Sequence, residues 1–139
     1  MELADKIKRA SRVYIIGNGG SYANAMHMQN DLLSCGVKAF TLDPATLTAF
    51  ANDHGYYQAF SRWIKTVGEK TDLLIALSGS GKSPNILLAI EEAERIGMEV
   101  ERVFGAPKFD MQTAEEHQVW LGHELMRKLK CASRKLRCE

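Results

Sequence analysis

Short apolar runs alternate with amphipathic stretches along the whole chain. Uninterrupted apolar runs, as at 13–16 and 73–77, are typical of strands that are buried on both faces of a sheet. The stretches between them repeat apolar residues every three or four positions, which is the spacing of one helix face. The pattern predicts strands at 12–16, 37–42, 72–77 and 99–104, and helices at 2–11, 22–35, 44–52, 56–69, 84–96 and 112–130.

This alternation predicts an α/β fold. We expect a doubly wound, mostly parallel sheet of four to five strands flanked by helices, a three-layer sandwich of the flavodoxin or Rossmann type. In such sheets, ligands bind outside the carboxyl ends of the strands. Glycine-rich turns at 17–21 and 78–83 follow the first and third predicted strands, so both lie at that edge.

The turn at 78–83 has the composition of an anion site. Its serines offer hydroxyl donors, its glycines let the main chain approach a ligand, and a helix is predicted to begin directly after it. Ser83 is the predicted N-cap, and Pro84 suits the first helical position. The alternative is an ordinary loop in which serine and glycine only satisfy turn geometry.

Two nucleotide-binding motifs are incomplete. A GxGxxG motif that begins at Gly17 requires its third glycine at position 22, and that position is Tyr22. The sequence Gly81-Lys82-Ser83 matches the end of a P-loop, but Ala76 occupies the position of its first glycine. A P-loop NTPase is therefore a secondary hypothesis, and it predicts ATP hydrolysis that depends on Lys82.

The helix predicted at 22–35 has a polar face beside its apolar one. His27 and Asp31, one turn apart, suit an acid–base pair or a metal site. The alternative is a solvated helix face. The polar face consists of Asn24, His27, Asp31 and Ser34.

Composition narrows the function classes. The chain has 139 residues, 45% of them hydrophobic and 25% charged, with a formal net charge of +1, which suits one globular domain over 1–139. Neither nucleic acid nor a membrane is an expected partner, and the basic stretch at 127–137, near the end of the last helix, is interpreted as a solvated tail whose cations complement the helix C-terminus. Three cysteines without a CxxC pair, and a polar N-terminus, predict a cytoplasmic protein. The cysteines are Cys35, Cys131 and Cys138.

Three motifs in order resemble the sugar isomerase (SIS) domain and, more closely, the phosphoheptose isomerases. They are 17–21 with Ala25-Met26-His27, 51–55, and 78–85. The resemblance implies an aldose–ketose isomerase that converts D-sedoheptulose 7-phosphate into D-glycero-D-manno-heptose 7-phosphate through an enediol. It also implies a homo-oligomer, a dimer or a tetramer. The alternative is a non-catalytic phosphosugar-binding module, a sensor or a protein-docking regulator such as one of replication initiation.

The resemblance also implies the substrate-binding residues. The turn at 78–83 would hold the phosphate, the turn after the first strand would line the sugar end, and the stretch at 51–55 would bind sugar hydroxyls. The residues are Ser78, Gly79, Ser80 and Ser83 for the phosphate, and Asn18, Gly19, Ser21, Asn52, Asp53 and Glu115 for the sugar.

The implied catalytic residues are Asp31 and His123. A zinc site in some family members would fall on His27, Asp31, Glu115 and His123. Asp31 is one methylene shorter than the family's glutamate, and Glu115 replaces a glutamine. On one straight helix Glu115 and His123 lie about 12 Å apart along the axis, so joint coordination needs both side chains to converge.

Two segments are shorter than the family usually has. About ten residues precede the first predicted strand, and the stretch at 100–110 leaves no room for a fifth strand. The expectation is a four-stranded sheet and a weakened assembly.

Overall fold

The structure, a computed structural model, describes residues 2–133, with side chains as far as residue 129. Four strands alternate with helices along the chain. The strands are β1 (Val13–Ile16), β2 (Ala39–Thr41), β3 (Leu73–Ser78) and β4 (Glu99–Phe104). The helices are α1 (Leu3–Arg9), α2 (Gly20–Ser34), α3 (Pro44–His54), α4 (Ala59–Val67), α5 (Pro84–Ile96) and α6 (Met111–Ser133), with a 3₁₀ turn at Tyr56–Gln58 between α3 and α4.

All four strands are parallel, in the order β2-β1-β3-β4. Val13 of β1 is in register with Ala39 on one side and Leu73 on the other. After β1 the chain adds β2 on one side of it, and it then crosses over to add β3 on the other side of β1. The junction of β1 and β3 is the topological switch point, where open α/β sheets bind ligands. The predicted doubly wound α/β fold is confirmed.

Helices cover both faces of the sheet. Side chains of α1, α2 and α6 pack on one face, against residues such as Ile15 and Ile75. Those of α4 and α5 pack on the other, against residues such as Ile16 and Leu74. Burial on both faces explains why β1 and β3 are uninterrupted apolar runs in the sequence.

Several predicted boundaries were wrong for local reasons. The strand predicted at 37–42 is shortened to β2 because the N–H of Val37 still bonds the Leu32 carbonyl, in the turn that ends α2. The helix predicted at 56–69 is divided, because the tight turn after Gly55 forms a 3₁₀ segment before α4 begins. The described residues contain no fifth strand.

The final helix begins at a well-formed cap. The backbone N–H of Thr113 donates to Asp110 Oδ1 at 2.7 Å. Hydrogen bonds from Thr113 hold the pKa of Asp110 below its ordinary value, so this cap stabilises the folded protein at neutral pH and weakens only in acid. Of the basic tail residues predicted from the sequence, Arg134, Lys135 and Arg137 lie outside the described residues. Within the described part, no helix is both long and apolar enough to cross a membrane.

Gly17 allows β1 and α2 to approach closely. A Cβ at this buried position would lie 2.6 Å from the Ser21 carbonyl oxygen, and backbone cannot move aside as a flexible side chain can. We therefore expect Gly17→Ala to lower the free energy of unfolding by about 1–3 kcal/mol in denaturant titrations. The control is Gly122→Ala in α6, where the nearest atoms would lie at 3.7 Å. That helical substitution is expected to leave stability unchanged or raise it by up to about 1 kcal/mol. Equal stability of the two variants would contradict this packing argument.

Candidate functional site

A small pocket lies at the switch point, between the turns that follow β1 and β3. Its volume of about 80 Å³ has room for a few water molecules or one phosphate-sized group. The lining is rich in hydroxyl groups. It consists of Asn18, Ser21, Leu77, Ser78, Gly79, Ser80, Ser83 and Met111.

The serine oxygens of the second turn are used as hydrogen-bond acceptors inside the turn. Ser78 Oγ accepts from the backbone N–H of Gly81 at 3.0 Å, and Ser80 Oγ accepts from that of Lys82 at 3.1 Å. A hydroxyl that accepts in this way keeps its own hydrogen available. Both serines can therefore donate to an acceptor in the pocket, which suits an anion.

Ser83 occupies the predicted N-cap position of α5, but its side chain makes no capping bond. Asn85 supplies that bond instead, because its Oδ1 accepts from the N–H of Ile86 at 3.0 Å. The Ser83 carbonyl accepts from Ile86 and Leu87. Serine hydroxyls, rather than these two N–H groups of α5, are the donors left for a ligand.

A pair of amides holds the two turns together. Asn18 Nδ2 donates to Asn85 Oδ1 at 2.9 Å, and Asn85 Nδ2 donates back to Asn18 Oδ1 at 2.8 Å. The Tyr56 hydroxyl donates to the same Asn18 oxygen at 2.5 Å. Asn18 and Ser21, which were predicted for the sugar end, line this pocket, and the Asn18 amide also fixes the pocket's geometry. Sequence reasoning did not assign roles to Asn85 and Tyr56, although Asn85 lies within a quoted motif.

His27, Asp31 and His123 meet where α2 and α6 pack together. The Nε2 atoms of the two histidines lie 3.3 Å apart, and His27 Nε2 lies 3.3 Å from Asp31 Oδ2. One potential ligand atom from each residue lies within 4.8 Å of the others. Two ligands about 2.0–2.1 Å from a tetrahedral zinc ion are about 3.3–3.4 Å apart, so the two 3.3 Å spacings fit a shared cation.

Asp31 is the buried member of this cluster. It is 5% exposed, and its Oδ2 has no hydrogen-bond partner. A buried carboxylate oxygen without a donor is costly unless a proton or a cation satisfies it. The alternative of a purely solvated helix face is therefore wrong for Asp31, although both histidines are exposed.

Other predicted site residues lie elsewhere. A Cβ on Gly20 would overlap the Glu115 carboxylate, which places this carboxylate at the start of α2 and outside the His27–Asp31–His123 cluster. Asn52 and Asp53 are exposed on α3 and share a hydrogen bond of 3.1 Å. Neither lines the pocket, nor does Gly19, which precedes α2 with a φ of 55°. Sugar binding by these residues stays a prediction.

A larger groove of about 340 Å³ lies between α4 and α5. Its lining mixes both charges, and the nearest pair, Arg95 and Glu92, is already joined by hydrogen bonds. Because none of the residues that line this groove comes from the turns after β1 and β3, the small pocket at the switch point is the stronger candidate.

Comparisons with known proteins agree with this fold. A sequence profile of the SIS domain family matches residues 2–103. A phosphoheptose isomerase from Desulfovibrio desulfuricans is 39% identical over 106 residues, which cover 70% of this chain and 50% of the relative. One from Burkholderia pseudomallei is 43% identical over 100 residues, which cover 66% of this chain and 51% of the relative.

The chain thus spans about half the length of these curated relatives. The solved structure of a phosphoheptose isomerase from Francisella tularensis superposes with a TM-score of 0.84 and 28% identity, covering 91% of this chain and 82% of that one. The profile match extends from α1 through β4 and includes both turns that line the pocket. The chain belongs to the SIS domain family.

Proposed function

We propose that this chain is an aldose–ketose isomerase of a sugar phosphate. The proposed reaction converts D-sedoheptulose 7-phosphate into D-glycero-D-manno-heptose 7-phosphate, as the family resemblance implies, and the relatives are named phosphoheptose isomerases. One observation carries the proposal. A hydroxyl-lined pocket of phosphate size and a cluster of proton-transfer groups share the same helix, α2.

The spacing along α2 suits a long substrate. Ser21, which lines the pocket, and His27, in the cluster, are six residues apart, or about 9 Å along the helix axis. In an extended seven-carbon sugar, seven bonds separate C2 from phosphorus and span about 8–9 Å at about 1.2 Å per bond. A three-carbon sugar phosphate has only three such bonds, about 4 Å, and would not reach.

The chemistry requires one general base and one general acid. A proton leaves C1 of the ketose while the C2 carbonyl oxygen gains one, which gives the enediol. A proton then returns to C2 while the C1 hydroxyl loses its own, which gives the aldose. Asp31 and His123 together are proposed to supply these transfers, since Asp31 Oδ2 is a buried acceptor without a hydrogen-bond partner and an imidazole can both accept and donate a proton. A shorter carboxylate than the family's glutamate predicts slower turnover.

Zinc is a proposed cofactor. His27, Asp31 and His123 would hold it, and a bound ion would polarise the sugar carbonyl as a Lewis acid. The same Nε2 and Oδ2 atoms serve proton transfer when no metal is bound. Activity is therefore compared in chelator-treated and zinc-loaded protein, and both states require His123.

The cellular setting and assembly are part of the proposal. We place the protein in the cytoplasm, without a nucleic-acid or membrane partner, as a homo-oligomer. Helix α3 has no buried residue, and Trp120 on α6 is 55% exposed, so apolar surface remains for contacts between copies. Sedimentation equilibrium would test this, and a monomer at all concentrations would contradict it.

Direct assay separates the isomerase from its rivals. Purified protein mixed with sedoheptulose 7-phosphate is followed by NMR, and the isomerase predicts appearance of the aldose. Saturable binding without interconversion would favour a phosphosugar sensor instead. The NTPase hypothesis has little support, because Lys82 is exposed and does not line the pocket. It would require ATP hydrolysis that Lys82→Ala removes.

The double variant Ser80→Ala/Ser83→Ala tests the phosphate site. Each lost hydrogen bond from a neutral donor to a charged acceptor is worth about 1.5–3 kcal/mol. We expect the affinity for inorganic phosphate and for the sugar phosphate to fall by about 100-fold or more, measured by calorimetry. The matched control is Ser61→Ala, whose hydroxyl donates to the Gln58 carbonyl outside the pocket. Unchanged affinity in the double variant would exclude this turn as the phosphate site.

A further inference from the structure

A buried glutamine connects α6 to the pocket. Gln118 is 2% exposed, and its Nε2 donates to Ser21 Oγ at 3.0 Å. Its Oε1 accepts from Asn24 Nδ2 at 2.9 Å, and the same Asn24 nitrogen donates to the Glu115 carbonyl at 3.1 Å. These bonds join residues about one hundred positions apart in the chain, and neither the motifs nor the family resemblance assigns Gln118 a role.

The direction of every bond in this network is fixed by chemistry. An amide NH₂ group can only donate, and the Glu115 main-chain carbonyl can only accept, so the orientation of the Asn24 side chain is determined. The second hydrogen of the Asn24 NH₂ group donates to Gln118, so the Gln118 atom that faces it must be the acceptor oxygen, Oε1. The nitrogen of Gln118 therefore faces Ser21, and Ser21 Oγ must accept.

A consequence follows for Ser21. Its oxygen already accepts a hydrogen bond on the protein side, so its own hydrogen is free to donate into the pocket that it lines. Ser78 and Ser80 are in the same situation within the other turn. The three hydroxyls thus converge as donors from both turns, although their partners come from two different parts of the chain, the turn at 78–83 and α6.

We infer that Gln118 is a positioning residue that directs the Ser21 hydroxyl hydrogen toward an oxyanion or ester oxygen of the ligand. Asn24 supports it by holding the Gln118 amide in one orientation. The inference rests on the proposed function, because it assumes that the pocket binds a phosphate ester. It adds a selectivity mechanism. A pocket whose hydroxyl groups can only donate hydrogen bonds favours a ligand group that only accepts them, such as a phosphoryl group.

The test is Gln118→Glu, which preserves shape and replaces the NH₂ donor by an acceptor. At pH 8 the carboxylate accepts from Ser21, so the serine hydrogen turns away from the ligand. We expect the affinity for inorganic phosphate and for sedoheptulose 7-phosphate to fall about tenfold or more, measured by calorimetry. As the pH falls, the new carboxyl becomes protonated and can donate as the amide did. Burial raises the pKa of such a group, so recovery begins above the ordinary glutamate range.

Each affinity is divided by that of the unaltered protein at the same pH, which removes the titration of the ligand. Ser21→Ala alone should weaken binding by a similar factor, and Gln118→Glu added to Ser21→Ala should have little further effect. A merely structural role for Gln118 predicts neither the recovery in acid nor this lack of additivity. Affinity that is unchanged, or lost equally at every pH, would overturn the inference.

Asn24→Ala is the second variant, for use if Gln118→Glu does not fold. It leaves the Gln118 amide free to flip, and the affinity for inorganic phosphate is again expected to fall, while unchanged affinity overturns the inference. Failure of the proposed function is distinguishable. If the unaltered protein binds neither inorganic phosphate nor sedoheptulose 7-phosphate, the pocket is not a phosphate site. If the unaltered protein and the variants all bind normally, only the role of Gln118 is contradicted.

Discussion

Replacing His123 by alanine is expected to abolish isomerisation of sedoheptulose 7-phosphate while leaving its binding nearly intact. General acid–base groups contribute about 10²–10⁴-fold to turnover, so we expect a loss of at least this size in an NMR assay of the aldose product. Binding should persist because His123 is not among the residues that line the pocket. Since His123 is exposed, its removal should not disturb folding.

The matched control is His117→Ala. This histidine lies on the same helix and is also exposed, but it stacks on Trp120, with ring centroids 5.7 Å apart, outside the cluster. It should retain full turnover. Full activity of His123→Ala in both the chelated and the zinc-loaded protein would remove the assigned role of His123.

Asp31→Asn is expected to move stability and zinc affinity in opposite directions. The buried Oδ2 of Asp31 has no hydrogen-bond partner, so removing its charge should raise the melting temperature of the metal-free protein by a few degrees. The same change should weaken zinc binding by more than about 100-fold, because loss of an outer-shell partner alone typically costs 10–100-fold. Both are measured at pH 8.

Asp5→Asn provides the control. Asp5 is exposed on α1, and its contact with Lys8 is long, at 4.0 Å, so little is lost with its charge. It should change neither quantity appreciably. Unaltered zinc affinity in Asp31→Asn would exclude the cluster as a metal site. A destabilised metal-free protein would show that the Asp31 carboxylate already has a compensating partner.

Local sequence signals were sufficient where they marked both ends of an element. Helix α5 has the predicted bounds because Pro84 opens it and Gly97, with a φ of 93°, ends it. Strand β4 also has its predicted bounds. The division between the 3₁₀ turn and α4 was not predictable from periodicity, because apolar spacing does not distinguish the two helix types over a single turn.

The site was predictable only in part, because local sequence signals identify neighbouring residues but not residues that a long-range contact brings together. The turn at 78–83 is contiguous in the sequence, so its serines could be identified together. The cluster and the pocket network instead depend on how α6 packs on α2. His27 and His123 are 96 positions apart, and Ser21 and Gln118 are 97 apart. Burial of Asp31 and the orientation of the Gln118 amide arise only from that long-range contact, and no local pattern encodes them.

The most direct test of the isomerase proposal is to incubate the protein with sedoheptulose 7-phosphate in D₂O and follow the sugar by NMR. An enediol intermediate exchanges protons with the solvent, so the account predicts D-glycero-D-manno-heptose 7-phosphate that carries deuterium at C2. A sugar phosphate that binds saturably but shows neither interconversion nor exchange would contradict it.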